Sequence, residues 1–200
     1  MEKPSGYTAL LDASVLFPVF TSNLLLWLAA RLLYRVKWSA DIHREWVERR
    51  LTRYPGSSRE ALERKRDRMD QEFEEALVTG YESLIPTLTL RDVDDRHVLA
   101  AAIKCSADVI VTNNPDDFDQ LPPGLIVQEA DEFIAAQIGV TVGSAKEVAQ
   151  AIIGHKRSLT KSRPTWQKYF AELKRKLPVS YAEMNKPEFR SLIALSVREH

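Results

Sequence analysis

Short continuous apolar runs alternate with stretches of helical period over the first two thirds of the chain. Residues 8–12 are apolar up to a terminal carboxylate, Asp12, which predicts a short buried strand. Pro18 suits the first turn of a helix, where its missing N–H costs nothing, and the apolar stripe from Phe17 to about Val36 predicts one buried helix. Ser39 is a candidate N-cap for the next, with Ile42, Trp46, Val47 and Leu51 about one turn apart. Pro55-Gly56-Ser57-Ser58 stops it and caps a charge-rich helix over 58–79, ending near Gly80. Residues 83–89 predict a weaker strand, because Pro86 lacks a ladder donor.

A helix over 94–105 follows, then the clearest strand, 109–112, another at 125–127, and a closing helix over 129–138. Strands separated by helices predict a mostly parallel α/β sheet covered on both faces. Beyond residue 138 the character changes. Ser144 caps a short helix through Ile153, a basic connector spans 155–164, and helices over 164–176 and 180–197 are separated by Pro178. The expected organisation is a body, 1–138, with a helical appendage, 139–200.

Two hundred residues suffice for a real core, and 44% hydrophobic with 28% charged residues is the balance of a soluble globular protein. The zero net charge hides an asymmetry. Residues 1–138 hold 16 Lys and Arg against 23 Asp and Glu, net −7, while 139–200 hold 12 against 5, net +7. The basic tail either cancels the acidic body, forms a solvated face, or meets an anion such as RNA. The single cysteine, Cys105, excludes an intramolecular disulfide and a multi-cysteine metal site, and its helical run predicts a core position. Residues 24–30, the strongest apolar run, fall far short of the roughly 20 residues of a membrane span, and residues 1–6 lack the pattern of a secretion signal. A cytoplasmic location without membrane association is expected.

Four acids far apart in sequence stand where an α/β fold gathers side chains. Asp12 ends the first strand, Glu45 lies beside the apolar face of a helix, Asp95 opens another helix, and Asp117 follows the clearest strand. Asp92 or Asp94 could take the place of Asp95, and Asp116 or Asp119 that of Asp117. Converging carboxylates cost several kcal/mol unless neutralised. A hard divalent cation is the simplest partner, and phosphodiester hydrolysis the simplest chemistry. His43, His97, His155 and His200 form no HxxxH pair, which disfavours zinc, and glycine-loop or serine-hydrolase motifs are absent. Of the tryptophans, Trp27, Trp38, Trp46 and Trp166 suit core packing better than base stacking.

The blocks Leu11-Asp12-Ala13-Ser14-Val15-Leu16, the helix with Glu45, 92–102 and 108–118 resemble the PIN-domain ribonucleases, in particular the bacterial branch of VapC-type toxins. The resemblance implies a Rossmann-like PIN fold with a central parallel sheet, and RNA cleavage dependent on Mg²⁺ or Mn²⁺. It implies metal-site and catalytic roles for Asp12, Glu45, Asp95 and Asp117, with Ser14 and Thr112 as polar supports. Many PIN domains carry Thr-x-Asp, whereas Thr112-Asn113-Asn114 places Asn114 at that position, so that Asp117 serves instead. The expected partners are an RNA substrate, a cognate antitoxin and a second copy of the chain. Lys156, Arg157, Lys161, Arg163, Lys174, Arg175 and Lys176 are the candidate phosphate contacts. Phe170, Leu173, Leu177, Phe189, Leu192 and Leu195 suit packing or helix-in-groove docking. Competing readings are a catalytically weak RNA-binding module, which Asn114 favours, and a structure-specific DNA nuclease.

Overall fold

Strands β1 (Thr8–Leu11) and β4 (Val109–Thr112) are buried at every position, as central parallel strands must be, and this explains their unbroken apolar character. The computed structural model describes the backbone of residues 6–139 and 142–198, and within these the side chains of 6–138 and 145–194. Ser144 and Leu195 therefore lie outside the described side chains. Strand β2 (Arg35–Ser39) pairs with the other edge of β1, β3 (Leu77–Val78) with β2, and β5 (Ile126–Glu129) with β4. All pairings are parallel, Ala9, Leu10 and Leu11 facing Val109, Ile110 and Val111 in register, and the order is β3-β2-β1-β4-β5. The strand order reverses between β1 and β4, so the crevice beyond their carboxyl ends is the expected ligand position.

The connecting helices are α1 (Ala13–Leu16), α2 (Val19–Ala30), α3 (Ala40–Arg53), α4 (Arg59–Glu72) and α5 (Arg96–Lys104). The helix expected to run to Val36 stops at Ala30. Leu32, in the left-handed region at φ 58°, turns the chain, and Arg35–Ser39 forms β2. The two-residue alternation of Arg35, Val36, Lys37 and Trp38 is the strand signal that the preceding apolar run obscures. Helix α4 likewise ends at Glu72 and not near Gly80, leaving Leu77–Val78 as the edge strand. The strand expected at 83–89 is a 3₁₀ turn, Glu82–Thr87, with Pro86 inside it. Cys105 is half-buried, not a core residue, and burial raises its thiol pKa.

Later elements are α6 (Ala130–Gly139), α7 (Val142–Ser158), α8 (Trp166–Lys176), α9 (Pro178–Met184) and α10 (Pro187–Arg198). Helix α7 absorbs the start of the expected connector at 155–164. Pro178 marks the break between α8 and α9 as expected, but the helix expected over 180–197 is divided into α9 and α10; Pro178 and Pro187 open these two at the position that tolerates a missing N–H.

Packing groups the chain into two units. One holds the described residues up to Val19 together with Tyr34–Glu129; the other holds Phe20–Leu33 and the described residues from Ala130 onward. In the first, a polar chain crosses the core. Trp38 Nε1 donates to Asp70 Oδ1 (2.8 Å), His43 Nε2 meets the same oxygen (3.1 Å), and Trp46 Nε1 donates to His43 Nδ1 (2.9 Å). Because Trp46 can only donate, Nδ1 accepts, and the His43 proton sits on Nε2 facing Asp70. Burial lowers the His43 pKa, in keeping with a neutral ring. Trp38 and Trp46 are thus the packing residues expected from the sequence.

In the second unit, Phe20 meets the buried His155 ring edge-on (4.8 Å), and His155 Nδ1 is bonded to Tyr169 Oη (2.9 Å). Burial pushes the His155 pKa down to about 4. The unfolded chain binds this proton near pH 6.5 and the folded chain only near 4, so stability is lost as pH falls through that window. We expect the loss to be on the order of 3 kcal/mol. Urea titrations at pH 7 and 4.5 should show it, and His155→Gln should shrink the difference.

Candidate active site

Asp12 follows the last residue of β1 and caps α1. Its backbone N–H donates to Val111 O (3.0 Å), extending the β1–β4 ladder by one step. The carboxylate is 4% exposed and every contact it makes is a donor: Oδ1 accepts Ala13 N–H (2.6 Å), and Oδ2 accepts Ser14 Oγ (2.6 Å) and Thr112 Oγ1 (2.8 Å). Ser14 Oγ also lies 3.1 Å from Thr112 Oγ1 and accepts Asn113 N–H (2.9 Å). The two hydroxyls tie the ends of the central strands to one carboxylate and fix its direction. Asn114 donates its backbone N–H to Thr112 Oγ1 (3.1 Å) and is exposed.

Asp95 stands at the N-terminal boundary of α5 without a side-chain capping bond, and the next turns bury Val98, Leu99 and Ala102 and so hold the helix against the sheet. The turn before it is pinned twice. Asp92 Oδ1 accepts Asp94 N–H (2.9 Å), and Asp119 Oδ1 accepts Arg91 N–H (3.0 Å), which ties 91–95 to the loop after the 3₁₀ turn Pro115–Asp117. One carboxylate oxygen each from Asp92, Asp95 and Asp117 falls within 4.8 Å of the others. Burial, and then the negative charges of Asp12, Asp92, Asp117 and Glu45, push the Asp95 pKa up to about 7. The four acids singled out in the sequence therefore lie in one electrostatic neighbourhood, and Asp92 joins them. Spacing pointed to Asp92 only as a substitute for Asp95. The acid-dense turn Asp92-Val93-Asp94-Asp95 was the available signal, since three residues around a helix start bring two side chains to one side.

Glu45, half-buried on α3, accepts from Arg49 Nη2 (2.9 Å) and lies 3.7 Å from His97 Nε2. His97 Nε2 thus faces Glu45. Asp12 and Glu45 stand outside the 4.8 Å group, the first engaged by hydroxyls and N–H groups, the second by an arginine. An all-oxygen, all-carboxylate set fits a hard divalent cation such as Mg²⁺ or Mn²⁺, and the raised proton affinity of Asp95 marks a place where positive charge stabilises the fold.

A family model described as PIN domain matches residues 8–116, more than half of the chain and all of β1 to β4. The chain belongs to the PIN-domain family. The comparisons found no matching curated protein and no matching solved structure. PIN domains are in general metal-dependent nucleases, so membership and the acidic cluster together support a nuclease-type function. The PIN fold is the expected one: a five-stranded, all-parallel, Rossmann-like sheet with helices, followed by C-terminal helices. No helix among the described residues is long and apolar enough to cross a membrane.

The seven candidate phosphate contacts all lie in the second unit. Lys156 Nζ sits over the Trp166 ring (4.9 Å) and Lys174 Nζ over Tyr181 (5.7 Å), while Arg175 and Lys176 pair with Glu172. Arg157, Lys161 and Arg163 have no ion pair among the described residues.

Proposed function

We propose that this PIN-domain protein is a metal-dependent endoribonuclease, the toxin of a bacterial toxin–antitoxin pair. Residues 1–138 carry the chemistry, and 139–200 add a basic surface for RNA. The observation that carries the reading is the gathering of Asp12, Glu45, Asp92 and Asp117 around Asp95 beyond the sheet's carboxyl edge. Asp92, Asp95 and Asp117 would hold Mg²⁺ or Mn²⁺ there, with Asp12 beside them. The cation supplies charge that polarises a water and stabilises the negative oxygens developing at phosphorus. Ser14 and Thr112 aim Asp12 by donating to it, and Glu45, steadied by Arg49, orients the attacking water. The resemblance to PIN-domain ribonucleases favours RNA as substrate, and Arg157, Lys161 and Arg163, without an ion pair among the described residues, would supply phosphate contacts. The antitoxin, and a homodimer that joins two basic surfaces, are the expected partners.

The test is cleavage of a mixed RNA pool and a matched single-stranded DNA pool by the purified chain in Mg²⁺, Mn²⁺ or EDTA. RNA cutting with either metal and none in EDTA is expected. Faster cutting of DNA would replace RNA as the substrate. RNA binding without cutting under any metal would favour the second reading, a non-catalytic module, for which the exposed amide Asn114 in place of a carboxylate speaks. Expression in a bacterial host should arrest growth; growth equal to that with Asp12→Asn would end the toxin assignment.

A further inference from the structure

Helices α2 and α7, both in the second unit, border an open groove of about 640 Å³ lined by Trp27, Arg31, Gln150, Ile153, Gly154, Arg157 and Ser158. Gly154 is what lets it exist in this form. A Cβ built there would lie 2.5 Å from Trp27 Cζ3 and 2.6 Å from Cε3, so the indole is seated on bare helix backbone and held in place. Gln150 is 8% exposed, yet its amide has no hydrogen-bond partner among the described residues. Its amide atoms are not sealed from solvent: they reach the groove, where a ligand can supply both a donor and an acceptor. Arg157 is exposed and free of any ion pair among the described residues. Arg31 holds only a long contact to Glu147 (3.8 Å, both side chains well exposed), which leaves it available to an anion.

A fixed indole, a two-way amide and two guanidinium groups are complementary to one ligand chemistry: a planar heterocycle that stacks and hydrogen-bonds at its edge, joined to a phosphate. We propose that this groove is a nucleotide site. Trp27 and Ile153 take the base, Gln150 reads its edge, and Arg31 and Arg157 take the phosphate. The site shares no residue with the carboxylate cluster and goes beyond the nuclease reading. Its occupant is a free mononucleotide or one nucleotide of a bound RNA strand.

The test is isothermal titration of the full-length chain in EDTA, where binding is read without cleavage. The ligands are AMP, UMP, ribose 5-phosphate and a ten-nucleotide RNA of mixed sequence. A mononucleotide should bind more tightly than the base-less ribose 5-phosphate, and Arg157→Glu should weaken it about tenfold. Gln150→Ala should weaken it about three- to tenfold. If Arg157→Glu weakens the RNA in parallel, the site serves the strand; if RNA affinity is unchanged while AMP is lost, the site takes a free nucleotide. Because Trp27→Leu alters a packed residue, Arg157→Glu on the surface is the deciding variant. Equal affinity for AMP and ribose 5-phosphate, or AMP and RNA binding both untouched by Arg157→Glu and Gln150→Ala, overturns the proposal. Nucleotide binding in EDTA together with no RNA cutting in Mg²⁺ or Mn²⁺ would instead count against the nuclease reading alone.

Discussion

Asp95→Asn should reduce metal-dependent cleavage by about 10²–10³-fold or more while making the metal-free protein more stable. The two effects share a cause. Burial and four neighbouring acids hold the Asp95 pKa near 7, so the folded chain keeps a proton there that the unfolded chain releases near pH 4. The metal-free fold therefore loses stability as pH rises from about 4 to about 7 and is level above that. Because the site is half-exposed, screening trims the loss to about 1–2 kcal/mol. Asparagine removes the charge and with it the Asp95 share of the pH dependence, but it also removes an anionic ligand. Thermal melts at pH 5 and pH 8, with EDTA and with Mg²⁺, read every part of this. Because both proteins keep the His155 titration, the difference between them carries the test: in EDTA wild type should fall further below the variant at pH 8 than at pH 5, and Mg²⁺ should raise wild type more than the variant. A folded Asp95→Asn that cleaves like wild type would remove Asp95 from the chemistry.

Trp38→Ala should be the most damaging single truncation for the fold, at about 3–5 kcal/mol out of the roughly 5–15 kcal/mol that a domain has to lose. The side chain is fully buried on β2, and its N–H holds Asp70, which in turn receives the His43 proton. Deletion leaves a void the size of an indole and strips one donor from a partly buried carboxylate. Glu45 lies between His43 and Trp46 on α3, so the damage should reach the site as well. Urea unfolding of Trp38→Ala against Trp38→Phe separates the causes, since phenylalanine fills most of the volume but restores no donor. A phenylalanine variant as stable as wild type would show that volume alone matters.

The sheet's centre was legible because β1 and β4 are buried on both faces and read as unbroken apolar runs. The edges were not. Strand β2 hid behind the apolar stripe of α2, since four residues of alternation carry little signal beside a long helix, and β3 is only two residues long. Its neighbour, the 3₁₀ turn over 82–87, resembles a strand in composition while Pro86 bends it away. In the site, positions at strand ends and helix starts carried the signal for Asp12, Asp95 and Asp117. The place of Asp92 depended on how one turn is pinned by Asp119, a contact over 28 residues that no local pattern encodes. Glu45 was readable as a residue beside an apolar face, but its partner His97 was not, because that pairing depends on how α3 and α5 meet.

Helix α2 has a consequence for how this protein could have been assembled and how it can be taken apart. Its Phe20 and Trp27 pack on His155 and Gly154, more than a hundred residues downstream, so the helical unit is written in two places along the gene. A stop codon placed after the sheet would not yield a clean minimal domain. It would leave the indole of Trp27 and the ring of Phe20 without the surface they are shaped for, an invitation to self-association. Gain or loss of the C-terminal helices during descent would then require matching change at residues 20–33, and the two segments are expected to be inherited together.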